Sequence, residues 1–254
     1  MGAINVKHTG SGADIALSSD GTSLLLDGTA IGGGGGSPTL YAESLSGATS
    51  PTATGTNSVA IGSDAQATAT NGSIAFGTAT RASGNANAAI GYQANAAGVG
   101  ALATGYLANA AADFSTAVGR NAKTATGSNA TALTQSYASG ANSFAAAIAN
   151  NTSSYGATGA NSIAMGDRSS ASGSRGIAIG GYGALASGAS SLAFGYQATA
   201  NQSYASGFGY ASKAYGQYSW AGTESHASGL KSVALGIGDT TTTYGAQHTS
   251  GVAI

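Results

Sequence analysis

The sequence predicts an all-β chain: a β-solenoid of about 14 short coils with a small N-terminal β module. Three observations carry this expectation. A triplet of large apolar residue, alanine and large apolar residue, usually followed by glycine, returns as Val59-Ala60-Ile61-Gly62, Ile74-Ala75-Phe76-Gly77, Ile163-Ala164-Met165-Gly166, Ile177-Ala178-Ile179-Gly180, Leu192-Ala193-Phe194-Gly195 and Val233-Ala234-Leu235-Gly236. Its copies begin at 59, 74, 88, 102, 116, 131, 144, 163, 177, 192, 206, 220, 233 and 252. A step that short and regular marks stacked coils, each one repeat long. The composition, with 42 glycines and 7% charged residues, fits a low-complexity polymer. The register of the apolar positions excludes that reading, because disorder requires no period.

From the N-terminus, residues 1–36 do not follow the repeat. They suggest short strands around Ile4–Lys7, Asp14–Leu17 and Leu24–Ile31, with turn signals at Ser19-Asp20-Gly21 and Asp27-Gly28. Gly32 to Gly36 supply a flexible joint. A β module on a glycine hinge reads as an attachment foot that docks on another protein; the alternative is an N-terminal cap for the solenoid. Residues 37–56 are a connector, and the coils occupy 57–254.

Fourteen residues are too few for a pair of helices but suit two short strands and two tight turns. Glycine fills the fourth position in 10 of the 13 copies that have one, as a corner needing positive φ requires. The middle position is alanine in 13 of 14 copies, with Gly207 the exception, so that face has almost no room. The strand after the corner alternates small and polar residues, as in Ala65-Gln66-Ala67, Ala94-Asn95-Ala96, Ala108-Asn109-Ala110 and Ala198-Thr199-Ala200, which predicts one wet face. The apolar-Ala-apolar strand lacks that alternation and predicts burial on both faces. One narrow coil cannot cover both, so the pattern predicts self-association, read as a homotrimer of rolls about a common axis. Val59, Ile61, Ile74, Phe76, Ile163, Met165, Ile177, Ile179, Leu192, Phe194, Val233 and Leu235 are the expected core of roll and trimer. At about 4.8 Å between strands, the coils would make a rod on the order of 65 Å long.

The repeat itself repeats. Two long steps of 19 residues, from 144 to 163 and from 233 to 252, fall in related sequence around Tyr155 and Tyr244. An offset of 89 residues aligns them, which gives two six-coil blocks, 74–162 and 163–251.

Asn57-Ser58-Val59-Ala60-Ile61-Gly62, Asn71-Gly72-Ser73-Ile74-Ala75-Phe76-Gly77 and Asn161-Ser162-Ile163-Ala164-Met165-Gly166 resemble the head repeat of trimeric autotransporter adhesins, the YadA-like head. The resemblance covers roughly 57–254 and implies a left-handed parallel β-roll assembled as a trimer. The chain departs from that family in showing no signal peptide, no heptad stalk and no C-terminal barrel. Such repeats also occur in bacteriophage tail fibres and spikes, which assemble in the cytoplasm, and that setting fits the departures. The resulting expectation is a non-enzymatic virion structural protein anchored by its N-terminus and contacting a host surface glycan or protein. Capsid or tail decoration without receptor binding, a cellular surface adhesin and an ice-binding solenoid are the alternatives.

The remaining chemistry is sparse. The formal net charge is −1 and no basic stripe runs along the chain, which argues against nucleic-acid binding. The chain has no cysteine, and no apolar run long enough to span a membrane as a helix. His8 and His248 have no neighbouring ligand partners, so neither a metal nor a cofactor is expected. Asp64, Asp113, Asp167, Glu224 and Asp239 form no evident pair at coil spacing, and a glycosidase dyad has no support. Glu224 and His226, two apart on one expected strand, would share a face, as a surface pair or an acid/base pair. No catalytic residue is assigned. Tyrosine is the one patterned candidate for surface recognition: Tyr92 and Tyr106 follow corner glycines, Tyr196 and Tyr210 repeat this, and Tyr182 is nearly in line. They read either as a platform for sugar rings or as a ladder that stabilises the corner. Tyr155 and Tyr244 would sit on loops projecting from the rod, where binding residues often lie.

Overall fold

The computed structural model describes residues 49–149, 152–236 and 245–254, together with the backbone of four short N-terminal strands. The glycine joint Gly32–Gly36, most of the connector, His8, Asp239 and Tyr244 lie outside the described residues.

The roll is built from two strands per coil. The apolar-Ala-apolar triplets pair only with their counterparts one coil away, in parallel and in register: Val59 with Ile74, Ala60 with Ala75 and Ile61 with Phe76, then Ile74 with Ala88 and onward. They form a sheet of 14 strands running in strict chain order to Val252–Ala253. The second strands of the coils, from Thr52–Ala53 to His226–Ala227, form a parallel sheet of 13 in the same order. The described residues contain no helix. The fold is the parallel β-solenoid that the spacing predicts.

Alanine makes this geometry possible. In the triplet the middle residue points inward, and Ala75, Ala89, Ala103 and Ala117 are all at 0% exposure. On the second strand the flanking alanines, such as Ala94 and Ala96, point inward too, while Asn95 between them faces out. Ser73, Ser115 and Ser191 complete the interior. Over most of their length the two sheets, lined by methyl and hydroxymethyl groups, approach closely, and larger buried side chains such as Ile148 and His226 are exceptions.

The large apolar residues are therefore not the core of the roll, contrary to that part of the expectation. Val59, Ile74, Phe76, Met165 and Phe194 are exposed on the outer face of the 14-stranded sheet, Phe76 at 52% and Phe194 at 51%. Ile61, Ile163, Ile177, Ile179, Leu192, Val233 and Leu235 lie half-buried on the same face. The reason is the pleat: with alanine at the centre of the triplet facing in, the residues on either side must face out.

The first corner carries the expected glycine at positive φ, at 115° in Gly62 and 122° in Gly91. A Cβ on Gly62 would lie 2.7 Å from the carbonyl of Gly77 in the next coil. Less expected is a second left-handed residue in each corner that is not glycine: Ala79, Gln93 and Leu107 at one side, Ala86, Asn129 and Tyr218 at the other, with φ near 55°. Their amides continue the ladder. Gln93 N–H donates to the Thr78 carbonyl at 2.9 Å, and Ala86 N–H to the Asn71 carbonyl at 2.9 Å. Hydrogen bonding thus runs through the corners as well as the strands.

Both long steps are absorbed in the same way. Ala138 pairs directly with Ala157, and Ala227 with Ala246, so the ladder is in register again after each long step. The two pairs are 89 residues apart, as the block repeat requires.

At the N-terminus, Ile4–Val6, Ile15–Ser19, Leu24–Leu26 and Thr29–Ala30 form an antiparallel meander. The single strand expected over Leu24–Ile31 is two. Leu26 pairs with Thr29, which leaves Asp27-Gly28 as a two-residue connection, the dipeptide most suited to a tight hairpin.

Candidate functional site

The residue after the corner glycine stands at the edge of the coil with its side chain in solvent. Because successive coils are in register, tyrosines there fall one above another at nearly the strand spacing. Tyr92 and Tyr106 stack with ring centroids 5.3 Å apart and 10° between planes. Tyr182 stacks on Tyr196 at 5.6 Å, and Tyr196 on Tyr210 at 5.4 Å. Tyr182 joins the column although Gly181 displaces it by one residue, because that corner is longer: the Gly183 amide, not the Tyr182 amide, donates to the Asp167 carbonyl at 3.1 Å.

The stacking decides what these columns can do. Each inner ring has both faces covered by neighbouring rings, so it offers solvent only an edge and a hydroxyl. At one end of the longer column the Arg168 guanidinium lies 5.1 Å over the Tyr182 ring and covers that face as well. The columns stiffen the corner and present a row of edges and hydroxyls, with Tyr92, Tyr106 and Tyr210 each keeping one face that no other ring covers.

A second polar column runs along the other corner and was not apparent in the sequence. Tyr204 and Tyr218 stack there at 4.8 Å with 1° between planes. Asn129 Nδ2 donates to Asn142 Oδ1 at 3.2 Å, and Asn142 Nδ2 to Asn161 Oδ1 at 3.3 Å. Arg175 Nε continues it by donating to Ser190 Oγ at 3.2 Å. All seven of these residues hold the left-handed corner position at coil spacing. The periodic signal was present, but it needed the second corner to be recognised as a fixed position of the coil.

Two expectations are corrected. Tyr155 does not project from the rod; it is half-buried and packs against the alanine core where the long segment returns to the coil. Glu224 and His226 do not share a strand face. Glu224 occupies the left-handed corner position with φ of 50° and is exposed, whereas His226 begins the next strand, is 3% exposed and meets the Tyr215 ring edge-on at 5.0 Å. Tyr244 is outside the described residues.

The described residues hold a single ion pair, Arg81 with Asp64 at 3.9 Å, tied further by Gln66 Nε2 donating to Asp64 Oδ1 at 2.8 Å. No group of three His, Asp or Glu side chains converges among them.

Among the described residues the corner glycine is missing from three coils, at Thr134, Ala147 and Thr223, the first two adjacent. Thr134 stands where other coils have glycine, and Ala147 takes that position in the following coil. An open notch forms there, lined by Leu133, Thr134, Gln135, Ala146, Ala147 and Ala149. Beside it Ile148 turns inside and is the largest fully buried side chain of the roll.

The sequence agrees with this geometry. The family model of the YadA head domain repeat matches residues 53–78, 88–108, 96–122, 157–182, 186–206 and 221–238. No curated protein matches the chain.

Proposed function

We propose, from the YadA head domain repeats that this chain carries, that it forms the non-enzymatic head of a homotrimeric fibre or spike on a bacteriophage. In this reading the protein assembles in the host cytoplasm and docks on a virion protein through residues 1–36. The roll then presents its corners to a host surface glycan or protein.

The observation that supports the reading is the outer face of the 14-stranded sheet. Ile74 and Phe76 near one end and Met165 and Phe194 further along stand exposed on it, and exposed apolar patches of that kind mark association surfaces. Burying each such side chain against two further rolls contributes about 1.5–3 kcal/mol. The opposite sheet carries Gln66, Arg81, Asn95 and Lys123 outward, a surface suited to water. A roll with one apolar and one polar face has an inside and an outside as an assembly.

Light scattering behind a sizing column tests the assembly, with three times the chain mass expected and a folded monomer overturning it. Saturable adsorption of the full-length protein to bacterial cells tests the contact role. A decoration protein without a receptor gives no saturation.

A further inference from the structure

We propose that the interrupted corner at Thr134 and Ala147 is a binding site for a carboxylate-bearing polysaccharide. This rests on the surface-contact reading above and names the ligand class for it.

The argument begins with the order of residues along the first corner. In successive coils the residue after the corner position reads Tyr92, Tyr106 and Arg120, then the notch, then Asp167, Gly181, Tyr196 and Tyr210, with Arg168 and Tyr182 each one residue further on. On the notch side the longer stack ends in Arg168, and Arg120 follows Tyr106 one coil on at the same corner position. Arg168 is fixed there by its own stacking on Tyr182. Its second guanidinium face is turned from the ring.

Why the column is empty between them follows from the backbone. The coil that begins at Thr131 is one residue short at the corner, so Gln135 N–H donates directly to the Arg120 carbonyl at 2.7 Å and the tyrosine position is skipped. In the next coil Ile148 holds that position but points inward, its amide donating to Ser136 Oγ at 3.2 Å. Arg168 N–H then donates to the Ile148 carbonyl at 2.9 Å, as Leu107 N–H does to that of Tyr92, so Asp167 resumes the tyrosine position and Arg168 stands one residue after it. Three strand spacings, about 14 Å, separate the Arg120 and Arg168 backbones. The floor between them is apolar, from Leu133, Ala146, Ala147 and Ala149, with the Thr134 hydroxyl and Gln135 amide as its polar groups.

Charge selects the ligand. Arg120 and Arg168 are both exposed, and neither belongs to the one ion pair among the described residues. Lys123 adds a third cation on the adjoining strand, its ammonium 5.7 Å from the Tyr137 ring centre. The one acidic side chain beside them is the exposed Asp167. A carboxylate accepts two parallel bonds from a guanidinium, which a neutral hydroxyl cannot. An extended pyranose chain advances per sugar by nearly the coil spacing, so the sugars flanking the acidic one can follow the tyrosine hydroxyls on either side.

The second block contains a natural contrast. Thr223 and Glu224 repeat Thr134 and Gln135, and Tyr210 stands where Arg120 does. A Cβ on Gly119 would strike the Thr134 hydroxyl, and one on Gly209 the Thr223 hydroxyl, so the two short corners are built alike. The second has a carboxylate in place of the amide and no arginine beneath it, and it is not expected to hold an anion.

Calorimetry of the full chain with a short oligogalacturonate, against a neutral glucan of the same length, tests the assignment. Saturable binding to the acidic oligomer alone is expected, weakened by salt. The Arg120→Gln/Arg168→Gln variant should lose roughly tenfold or more in affinity, as loss of charge-assisted bonds implies. Gln135→Glu should also weaken binding, while Glu224→Gln leaves it unchanged. Melting temperature and solution mass should stay those of the parent in each variant. No binding by the parent chain, equal binding of the neutral glucan, or full affinity in the double arginine variant overturns the proposal. Adsorption to bacterial cells, measured in parallel, separates the two readings. Adsorption without uronate binding rejects the notch and leaves surface contact standing; uronate binding without adsorption does the reverse.

Discussion

Alanine at the centre of each triplet is the residue on which the roll depends. Ala117 sits at 0% exposure between Ala103 below and Ala132 above, facing a second sheet also lined with alanine. Ala117→Leu has nowhere to go, and overpacking should cost about 1–3 kcal/mol, read as a lowered denaturant midpoint. The corners invert this logic. Ala86 is exposed at φ of 54°, a conformation that costs an L-residue about 1 kcal/mol, so Ala86→Gly should raise the melting temperature. Ala89→Gly, three residues on in a strand, should lower it, at a cost of about 0.5–1 kcal/mol in stability. The sequence disclosed the crowding at alanine through its near-invariance from coil to coil. It hid the left-handed corner residues, because Ala79, Gln93, Leu107 and Tyr218 share no chemistry that would betray a common φ.

At the scale of the element, a corner is a ladder whose rungs are single residues from successive coils. Tyr196 stacks on both Tyr182 and Tyr210, whereas Tyr92 has one stacked partner, Tyr106. At about 0.5–1.5 kcal/mol per aromatic pair, Tyr196→Ala should destabilise roughly twice as much as Tyr92→Ala in chemical denaturation. The tyrosine columns were legible because spacing and register together fix which side chains meet. The notch was not. It arises from one missing residue after Thr134 and an inward turn of Ile148, and the reading by first apolar position passed over both. Glu224 and His226 show the same limit: two residues apart looks like one strand face until a corner ends between them.

Over the whole molecule the decisive asymmetry lies between the two sheets, one outwardly apolar and one outwardly polar. Of the expected core of roll and trimer, the alanine face is the part that lies inside the roll, whereas Phe76 and its neighbours lie outside it on the face that association would cover. A hydropathy pattern records how much apolar surface must be covered, but not whether the cover comes from the same coil or from another chain. Phe76→Asp and Phe194→Asp place charges on the apolar face without touching the alanine interior. Each should shift the mass distribution toward single chains while circular dichroism keeps its β signature. Ala117→Leu, in contrast, should reduce both together.

The hydrogen bonds that join one coil to the next, such as Val59 to Ser73 at 2.9 Å and Gly77 to Ile61 at 2.8 Å, lie nearly along the rod. A pull from tip to base therefore loads them in series, coil after coil, and the tether is as strong as its weakest junction. That junction is expected where Ala138 meets Ala157, the one inter-coil contact of the second sheet reduced to a single residue pair within the run of strands. Under tension the rod should yield there first, inside the first block, with the coils on either side remaining wound.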